Sequence, residues 1–359
     1  MAEKLEAKHS GGKLRARKIE LSQHQDPLEL CFERGWSDGL PVTPPTDERV
    51  LQMLSGTRRR PDEIVGQIPP YLAQCTVEKV AINAVLAGCK PEYMPVLLAA
   101  LEAALEPVFT LHGVLATTYF SSPIIIVNGP IAKKIGMNCG LNALGQGNRA
   151  NATIGRALNL IVQNVGGGRP GEVDRAAFGA PSKFTLCFAE DESDAEWEPL
   201  SVARGFPRGA STVTLFQGHG VEAVVDQKTR TPEGLSRSIG SALVKIGHPR
   251  LVQSARAVLV LSPEHYRIYR EAGWGRKEIE RALFEATTRP GSEILAGLDG
   301  IGEGVPPERA NERVPKFHED GLMVVRAGGA AGLFSAILPG WLAGRNRLEL
   351  QPVTKEVRT

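Results

Sequence analysis

The sequence predicts an α/β protein whose mostly parallel or mixed sheets are covered by helices, with a helix-rich N-terminal part. Two observations predict this class. From about residue 183, short β-branched apolar segments alternate with segments of helical periodicity, which is typical of sheets covered by helices. Before residue 120, apolar stretches of helical periodicity follow one another directly, and the first clear strand comes only at Ile124–Val127.

Capping residues delimit the predicted helices of the first half. Asp26, Thr46 and Thr76 are N-cap residues that each begin a helix, Gly88 ends the third helix, and Pro91 begins the fourth. The run 124–127 has no polar residue, which favours a strand buried on both faces.

A loop dense in Asn and Gly, within residues 137–148, then leads into a helix from about 149 to 165. The start of a helix has free N–H groups, and the first turns here carry arginine and asparagine but no acidic residue. This pattern predicts a site for a small anion. The predicted substrate-binding residues in this half are Asn128, Asn138, Asn142, Arg149, Asn151 and Arg156.

In the second half the pattern repeats strand, loop and helix. Strands are predicted at 183–191, 211–217, 255–261 and 321–327, and helices at 232–246, 263–272, 276–287 and 331–338. We expect residues 1–25 to be a disordered basic tail, residues 26–205 an N-terminal α/β part and residues 206–359 a C-terminal α/β part. One continuous domain is the alternative.

Three of these strands run into segments that could carry chemistry. Ligands of open α/β sheets usually bind beyond the carboxyl ends of strands. His219 lies between two glycines, His265 lies in a first helical turn, and Gly328 and Gly329 begin a glycine-rich loop. Either histidine has a side chain suited to proton transfer near neutral pH, and the glycines would extend the substrate site.

Five unpaired cysteines without a C-x-x-C pair indicate a reducing compartment. Cys89 lies between a helix-ending glycine and a helix-starting proline, beside Lys90, which favours a stabilised thiolate. It is the first candidate nucleophile, and Cys139 in the Asn/Gly loop is the second. Asp38, in the loop GWSDGLPV, is a candidate acid.

Composition excludes several function classes. A net charge of +2 gives no overall field for binding nucleic acid. The charged N-terminus lacks the apolar region of a signal peptide, and no window reaches the roughly 18 apolar residues of a membrane span, so we expect a cytoplasmic protein without membrane contact. The H-E-x-x-H, G-x-S-x-G and Walker A motifs are absent from the sequence.

Three segments resemble a widespread bacterial family of poorly characterised proteins: GWSDGLPVTPPT, TVEKVAINAVLAGCKPEYMPV and NRANATIGRALNLIVQN. The similarity runs over most of the chain after the tail and includes SPEHYRIYREAGW. The family is associated with proteins that bear a reactive cysteine or selenocysteine, but their C-G-S-C type of motif is not found in this sequence. The resemblance implies one continuous homologous unit.

The leading hypothesis is an enzyme for a small carboxylate, phosphate or sulfur-containing substrate. It would be a cysteine-dependent lyase, transferase or hydrolase acting at a carbon–heteroatom bond, with catalytic residues Cys89, His219, His265 and Asp38. The first alternative is a metal-dependent enzyme that uses these four side chains as ligands. The second is a non-catalytic subunit or binding module. The sequence identifies no cofactor and leaves open a homo-oligomer or a partner subunit.

Overall fold

A computed structural model describes residues 14–342 and 350–358 of the chain. Residues 1–13 of the predicted tail lie outside the described residues. Residues 14–25 are held in part, because the backbone N–H groups of Arg15 and Ala16 donate to the buried carboxylate of Glu78 at 2.8–3.0 Å.

The helices begin where the capping residues predict. Asp26, Thr46, Thr76, Thr231 and Ser262 each accept a hydrogen bond from a backbone N–H in the first turn. The α-helices are α1 (Pro27–Glu33), α2 (Asp47–Leu54), α3 (Val77–Ala87), α4 (Met94–Ala104), α5 (Leu111–Ala116), α6 (Pro130–Lys134), α7 (Arg149–Asn164), α8 (Leu200–Ala203), α9 (Pro232–Leu243), α10 (Pro263–Glu271) and α11 (Arg276–Thr287).

The strands form two four-stranded mixed sheets and two small hairpin-like pairs. The strands are β1 (Ile64–Ile68), β2 (Ala73–Thr76), β3 (Ser122–Asn128), β4 (Cys187–Ala189), β5 (Thr212–Gly218), β6 (Glu222–Val225), β7 (Ala257–Leu261), β8 (Arg289–Pro290), β9 (Arg313–Val314), β10 (Leu322–Arg326), β11 (Phe334–Pro339) and β12 (Val353–Glu356). The prediction of an α/β protein with mixed sheets is confirmed.

The two large sheets have the same topology. The first sheet has the order β4-β3-β5-β12 and the second the order β10-β7-β11-β6; in each, the first pair is parallel and the other two pairs are antiparallel. The fourth strand of each sheet follows the third strand of the other sheet in the chain. The two crossing points pair with each other through Gly218 and Gly340. The two sheets therefore repeat one strand arrangement, and each includes one edge strand that the chain enters from the other sheet.

The sheets pack face to face with helices on both outer faces. One core cluster lies between the sheets and takes alternate residues of both, including Ile124 and Ile126 of β3 and Val258 and Val260 of β7. Helices α3, α4 and α7 share a second cluster with the first sheet, and α9, α10 and α11 share a third with the second sheet. This arrangement makes four layers: helices, sheet, sheet and helices.

One predicted element is wrong in type. The segment 331–338, predicted as a helix, contains the start of β11, because pairing with β7 on one side and β6 on the other satisfies its backbone. The small residues of this segment fit a helical pattern, but the segment lies between two strands and therefore forms a strand. The edge strands β6 and β12 were not predicted.

Candidate functional site

The carboxyl ends of four strands meet at one edge of the two sheets. β3 and β4 are parallel, as are β7 and β10. The N–H of Asp191, just after β4, donates to the carbonyl oxygen of Arg326 at the end of β10 at 2.7 Å, which brings the two sheets together here. We call this region the strand-end site; it contains Asn128, Cys139, Asp191 and Arg326.

A buried carboxylate forms the floor of the strand-end site. Glu190 accepts hydrogen bonds from Asn128 Nδ2 at 2.5 Å, Trp197 Nε1 at 2.8 Å and the backbone N–H of Leu200 at 2.7 Å. Arg276 Nη2 completes the set at 3.0 Å. Because all these donors bond to one carboxylate, the charge of Glu190 is fully paired, and we infer that this residue stabilises the fold.

Arg326, unlike Glu190, is not fully paired, because most of its N–H donors make no hydrogen bond to the described residues. Its Nη2 donates to Asp191 Oδ2 at 2.8 Å, while its buried Nε and Nη1 have no partner among the described residues. The side chain is only 6% exposed, and its guanidinium carbon lies 4.1 Å from the centre of the Tyr266 ring. A buried guanidinium with free N–H groups is costly unless an acceptor binds there. Asn128 Oδ1, also buried, is a second polar atom without a described partner.

Cys139 places a thiol in the same region. It is the one cysteine of the five that is not buried. Burial of part of the side chain raises the pKa of the thiol, the charge of Asp191 raises it further, and Arg326 lowers it. The thiol is therefore protonated at neutral pH and lies within electrostatic reach of Asp191 and Arg326.

Two glycines hold the Cys139 loop against the end of β10. Gly328 has a φ of 104° and donates its N–H to the carbonyl oxygen of Cys139 at 2.8 Å. A Cβ on Gly329 would lie 2.0 Å from the side chain of Leu141. The predicted substrate-binding glycines thus pack two loops of the site together.

At the start of α7, where the sequence predicts an anion site, the arginine side chains bond to groups of the protein itself. Arg156 makes a two-point contact with the carboxylate of Asp38 at 2.7 and 2.8 Å and donates to the carbonyl oxygens of Leu40 and Pro41. Arg149 donates from Nε to the carbonyl oxygen of Gly88 at 2.9 Å, at the end of α3. Both guanidinium groups fasten loops, and Asp38 is the partner of one of them.

The asparagines of this region also bond to backbone. Asn151 is buried, accepts from the N–H of Asn138 and donates to the carbonyl oxygens of Asn138 and Ala143. The Asn138 side chain bonds to Gly140 and Leu141, and Asn142 donates to Gln146. These amides fix the loop conformation.

Cys89 is buried and lies beside α7. Its thiol donates to the carbonyl oxygen of Thr153 at 3.3 Å, and burial raises its pKa to about 12. Its own N–H bonds back to Ala84 in the last turn of α3, so it belongs to the end of one helix. Nothing in this environment stabilises a thiolate enough to offset burial.

The two predicted catalytic histidines lie in different surroundings. His265 is fully buried, donates from Nε2 to the carbonyl oxygen of Asp226 at 3.0 Å and bonds through Nδ1 to the Ser335 hydroxyl at 2.8 Å. His219 follows β5, which is antiparallel to β3, and so lies at the opposite edge. Its Nε2 bonds to the Tyr119 hydroxyl at 2.9 Å, and burial lowers its pKa while raising that of Tyr119 to about 12.

Among residues 14–342 and 350–358, no group of three or more His, Cys, Asp or Glu side chains is arranged to hold a metal ion. The four residues of the metal-dependent alternative are dispersed in this part of the chain: Asp38 bonds to Arg156, Cys89 to Thr153, His219 to Tyr119 and His265 to Ser335.

The sequence analysis did not select Arg326, Asp191 or Tyr266. A signal for Arg326 existed, because it is the one charged residue at the end of the apolar strand LMVVR. Its relation to Asp191 depends on the contact between two sheets, which no local pattern carries.

Comparison with known proteins finds no match, whether among models of protein families, curated proteins or solved structures. Within the described ranges no single helix is long and apolar enough to cross a membrane; the pair Pro91–Ala104 and Pro107–Ala116 passes that test only together, across a bend of 77°.

Proposed function

We propose that the protein is an enzyme that acts on a small anionic substrate at the strand-end site, by cysteine-assisted chemistry at a carbon–heteroatom bond. The observation that carries this proposal is the pair of buried nitrogens of Arg326 for which the described residues supply no partner. A carboxylate, phosphate or sulfur oxyanion on the substrate would supply the acceptors that these N–H groups lack.

Cys139 is the nucleophile in this proposal, in preference to Cys89. Its thiol is the accessible one, and it lies near the cation that would bind the substrate. The sulfur attacks the carbon of the carbon–heteroatom bond, that bond breaks, and the thiol proton passes to the leaving heteroatom. The resulting thioether or thioester is then released by elimination, by hydrolysis or by transfer to an acceptor, which correspond to a lyase, a hydrolase or a transferase.

Asp191 is a positioning residue. Its carboxylate holds Arg326 through Nη2 and leaves Nε and Nη1 for the ligand. The cytoplasmic location remains a prediction of the sequence.

A thermal-unfolding screen against small carboxylates, phosphates and sulfonates tests the proposal. A ligand at 100 times its Kd should raise the free energy of unfolding by about 2.7 kcal/mol. The Arg326→Met variant should lose the shift, because it keeps the length of the stack on Tyr266 and removes the donors. Arg267→Gln, at a side chain 65% exposed on α10, is the matched control and should keep it.

The proposal fails if no anion stabilises the wild-type protein, or if a stabilising anion acts equally on Arg326→Met. Once a turned-over substrate is found, Cys139→Ser should abolish turnover without weakening anion binding, and Cys89→Ser should leave both unchanged.

A further inference from the structure

A cavity lies between residues 14–21 and the helices α1, α2 and α3. It has a volume of about 870 Å³, within the range of small-molecule sites. We call residues 14–21 the strap, since they cross one side of this cavity. The cavity is separate from the strand-end site, and none of the residues of that site lines it.

The inner wall of the cavity is apolar. Trp36 and Ile82 are partly buried side chains that pack on the first core cluster, and both line the cavity. The other apolar lining residues are Leu14, Ile19, Leu21, Leu28, Leu30, Cys31, Val50, Leu86 and Val165. A molecule placed there would remove this surface from water, at about 25 cal/mol for each Å² buried.

One side chain of the lining, Asn164, has a buried polar atom without a partner among the described residues. Asn164 donates from Nδ2 to the carbonyl oxygen of Trp36 at 3.1 Å and to Asn83 Oδ1 at 2.9 Å. These bonds fix the orientation of the amide and leave Asn164 Oδ1 as a buried acceptor with no partner among the described residues. A donor on a ligand would satisfy it.

Most charged groups of the lining have partners, and two others, Arg17 and Glu20, are exposed to solvent. Glu78 accepts from the strap backbone, Lys79 Nζ donates to the carbonyl oxygen of Gln74 at 2.5 Å, and Lys18 is paired with Asp47. Arg49 donates to the carbonyl oxygen of Pro44 at 2.8 Å. This pairing favours an uncharged ligand over an ionic one.

We propose that this cavity binds an uncharged, largely apolar small molecule that carries one N–H or O–H donor for Asn164 Oδ1, and that the strap is its cover. The strap is held by its backbone bonds to Glu78 and by the ion pairs Arg15–Asp62 and Lys18–Asp47, whose basic side chains are exposed, so changing Glu78 should loosen it. The site is independent of Arg326 and of the anionic substrate proposed above.

The test uses the full chain and 1-aminoanthracene, an uncharged polycyclic amine whose emission rises in apolar surroundings. Wild-type protein should give a saturable rise with one site per chain. Asn164→Leu should weaken binding about tenfold, the equivalent of one lost hydrogen bond. Ile82→Trp should weaken binding by narrowing the cavity, while Val225→Trp, on an exposed position of β6, should not.

Two further variants separate the parts of the proposal. Glu78→Gln should speed release of the probe, because a neutral amide holds the strap more weakly. Arg326→Met should leave probe binding unchanged, so a failure here is distinct from a failure of the proposed enzyme site. Circular dichroism checks that each variant is folded.

The absence of a saturable rise would overturn the proposal, as would unchanged affinity in both Asn164→Leu and Ile82→Trp. Unchanged release from Glu78→Gln would overturn the assignment of the strap as the cover. If Ile82→Trp does not fold, the affinity of Asn164→Leu decides.

Discussion

Two arginines in this molecule, Arg156 in α7 and Arg326 at the end of β10, differ in the acceptors around them. Arg156 contacts both carboxylate oxygens of Asp38 and two backbone carbonyl oxygens. Arg326 is more deeply buried but has one carboxylate contact and two nitrogens that have no partner within residues 14–342 and 350–358. The comparison teaches that the fold can satisfy the donors of a cation at a helix start, so that an unpaired donor is a better criterion for a candidate binding site than a positive charge.

The two halves of the fold also differ, in the residues that lie at the ends of their strands. In the first half β3 ends at Asn128 and β4 is followed by the acidic run Glu190-Asp191-Glu192. In the second half β7 and β10 are followed by Ser262 and by Ala327-Gly328. The strand order is the same in both sheets, while the side chains at the strand ends differ. Acidic residues from one half and the arginine and glycines from the other make a single site.

The largest effect should come from breaking the Arg156 contact. Arg156→Ala leaves the mostly buried Asp38 carboxylate without its cation, and we expect it to lower the free energy of unfolding by about 3–5 kcal/mol in chemical denaturation. Asp38→Ala should have a similar effect, and the double variant should cost much less than the sum. Additive effects would contradict the structural role of this pair.

Thiol accessibility distinguishes the two candidate cysteines. In folded protein, iodoacetamide should modify Cys139 before Cys89, by at least about tenfold in rate, because the Cys89 thiol is buried with a pKa raised to about 12. Because the Cys139 pKa is also raised, its labelling should accelerate as pH rises beyond the ordinary thiol range.

Peptide mass spectrometry at several pH values measures both rates. Asp191→Asn should speed the labelling of Cys139 by removing a charge that raises its pKa, and Cys89→Ser is the control that should not change it. Equal labelling of Cys89 and Cys139 would contradict the assignment.

Arg326→Met should have a small effect on stability, about 1 kcal/mol or less. It leaves the Asp191 carboxylate, which is 19% exposed, without its cation, but this cost is offset because the change also removes two buried donors that have no partner in the described part of the chain. Urea denaturation next to Arg156→Ala provides the direct comparison. A loss as large as that of Arg156→Ala would mean that Arg326 holds the fold as well.

The smallest expected effect is the pH dependence contributed by His219. Burial lowers its pKa in the folded state, so the unfolded chain binds the proton more readily. Stability from this group is present above the ordinary imidazole pKa of about 6.5 and is lost as pH falls from there through the folded value. The unfolding free energy of His219→Gln should have a flatter pH profile in that window, and an NMR titration that gives a raised pKa for His219 would contradict it.

The sequence by itself determined the local structure. Capping residues such as Asp26, Thr76 and Ser262 marked helix starts because each needs only neighbouring N–H groups, and runs such as Ile124–Val127 marked buried strands because they lack polar residues. The expectation of a site near strand ends also came from the sequence, and the tertiary structure shows which polar residues lie at those ends.

Strand direction was beyond local patterns, since β5 runs antiparallel to β3 and carries His219 to the opposite edge from Arg326. Local patterns also could not predict whether a charged group has a hydrogen-bond partner. The partners of Arg156 lie 115–118 residues away, and the contact between Asp191 and Arg326 joins two sheets. Helix caps and apolar runs depend on residues a few positions apart, whereas hydrogen-bond saturation is a property of the packed chain.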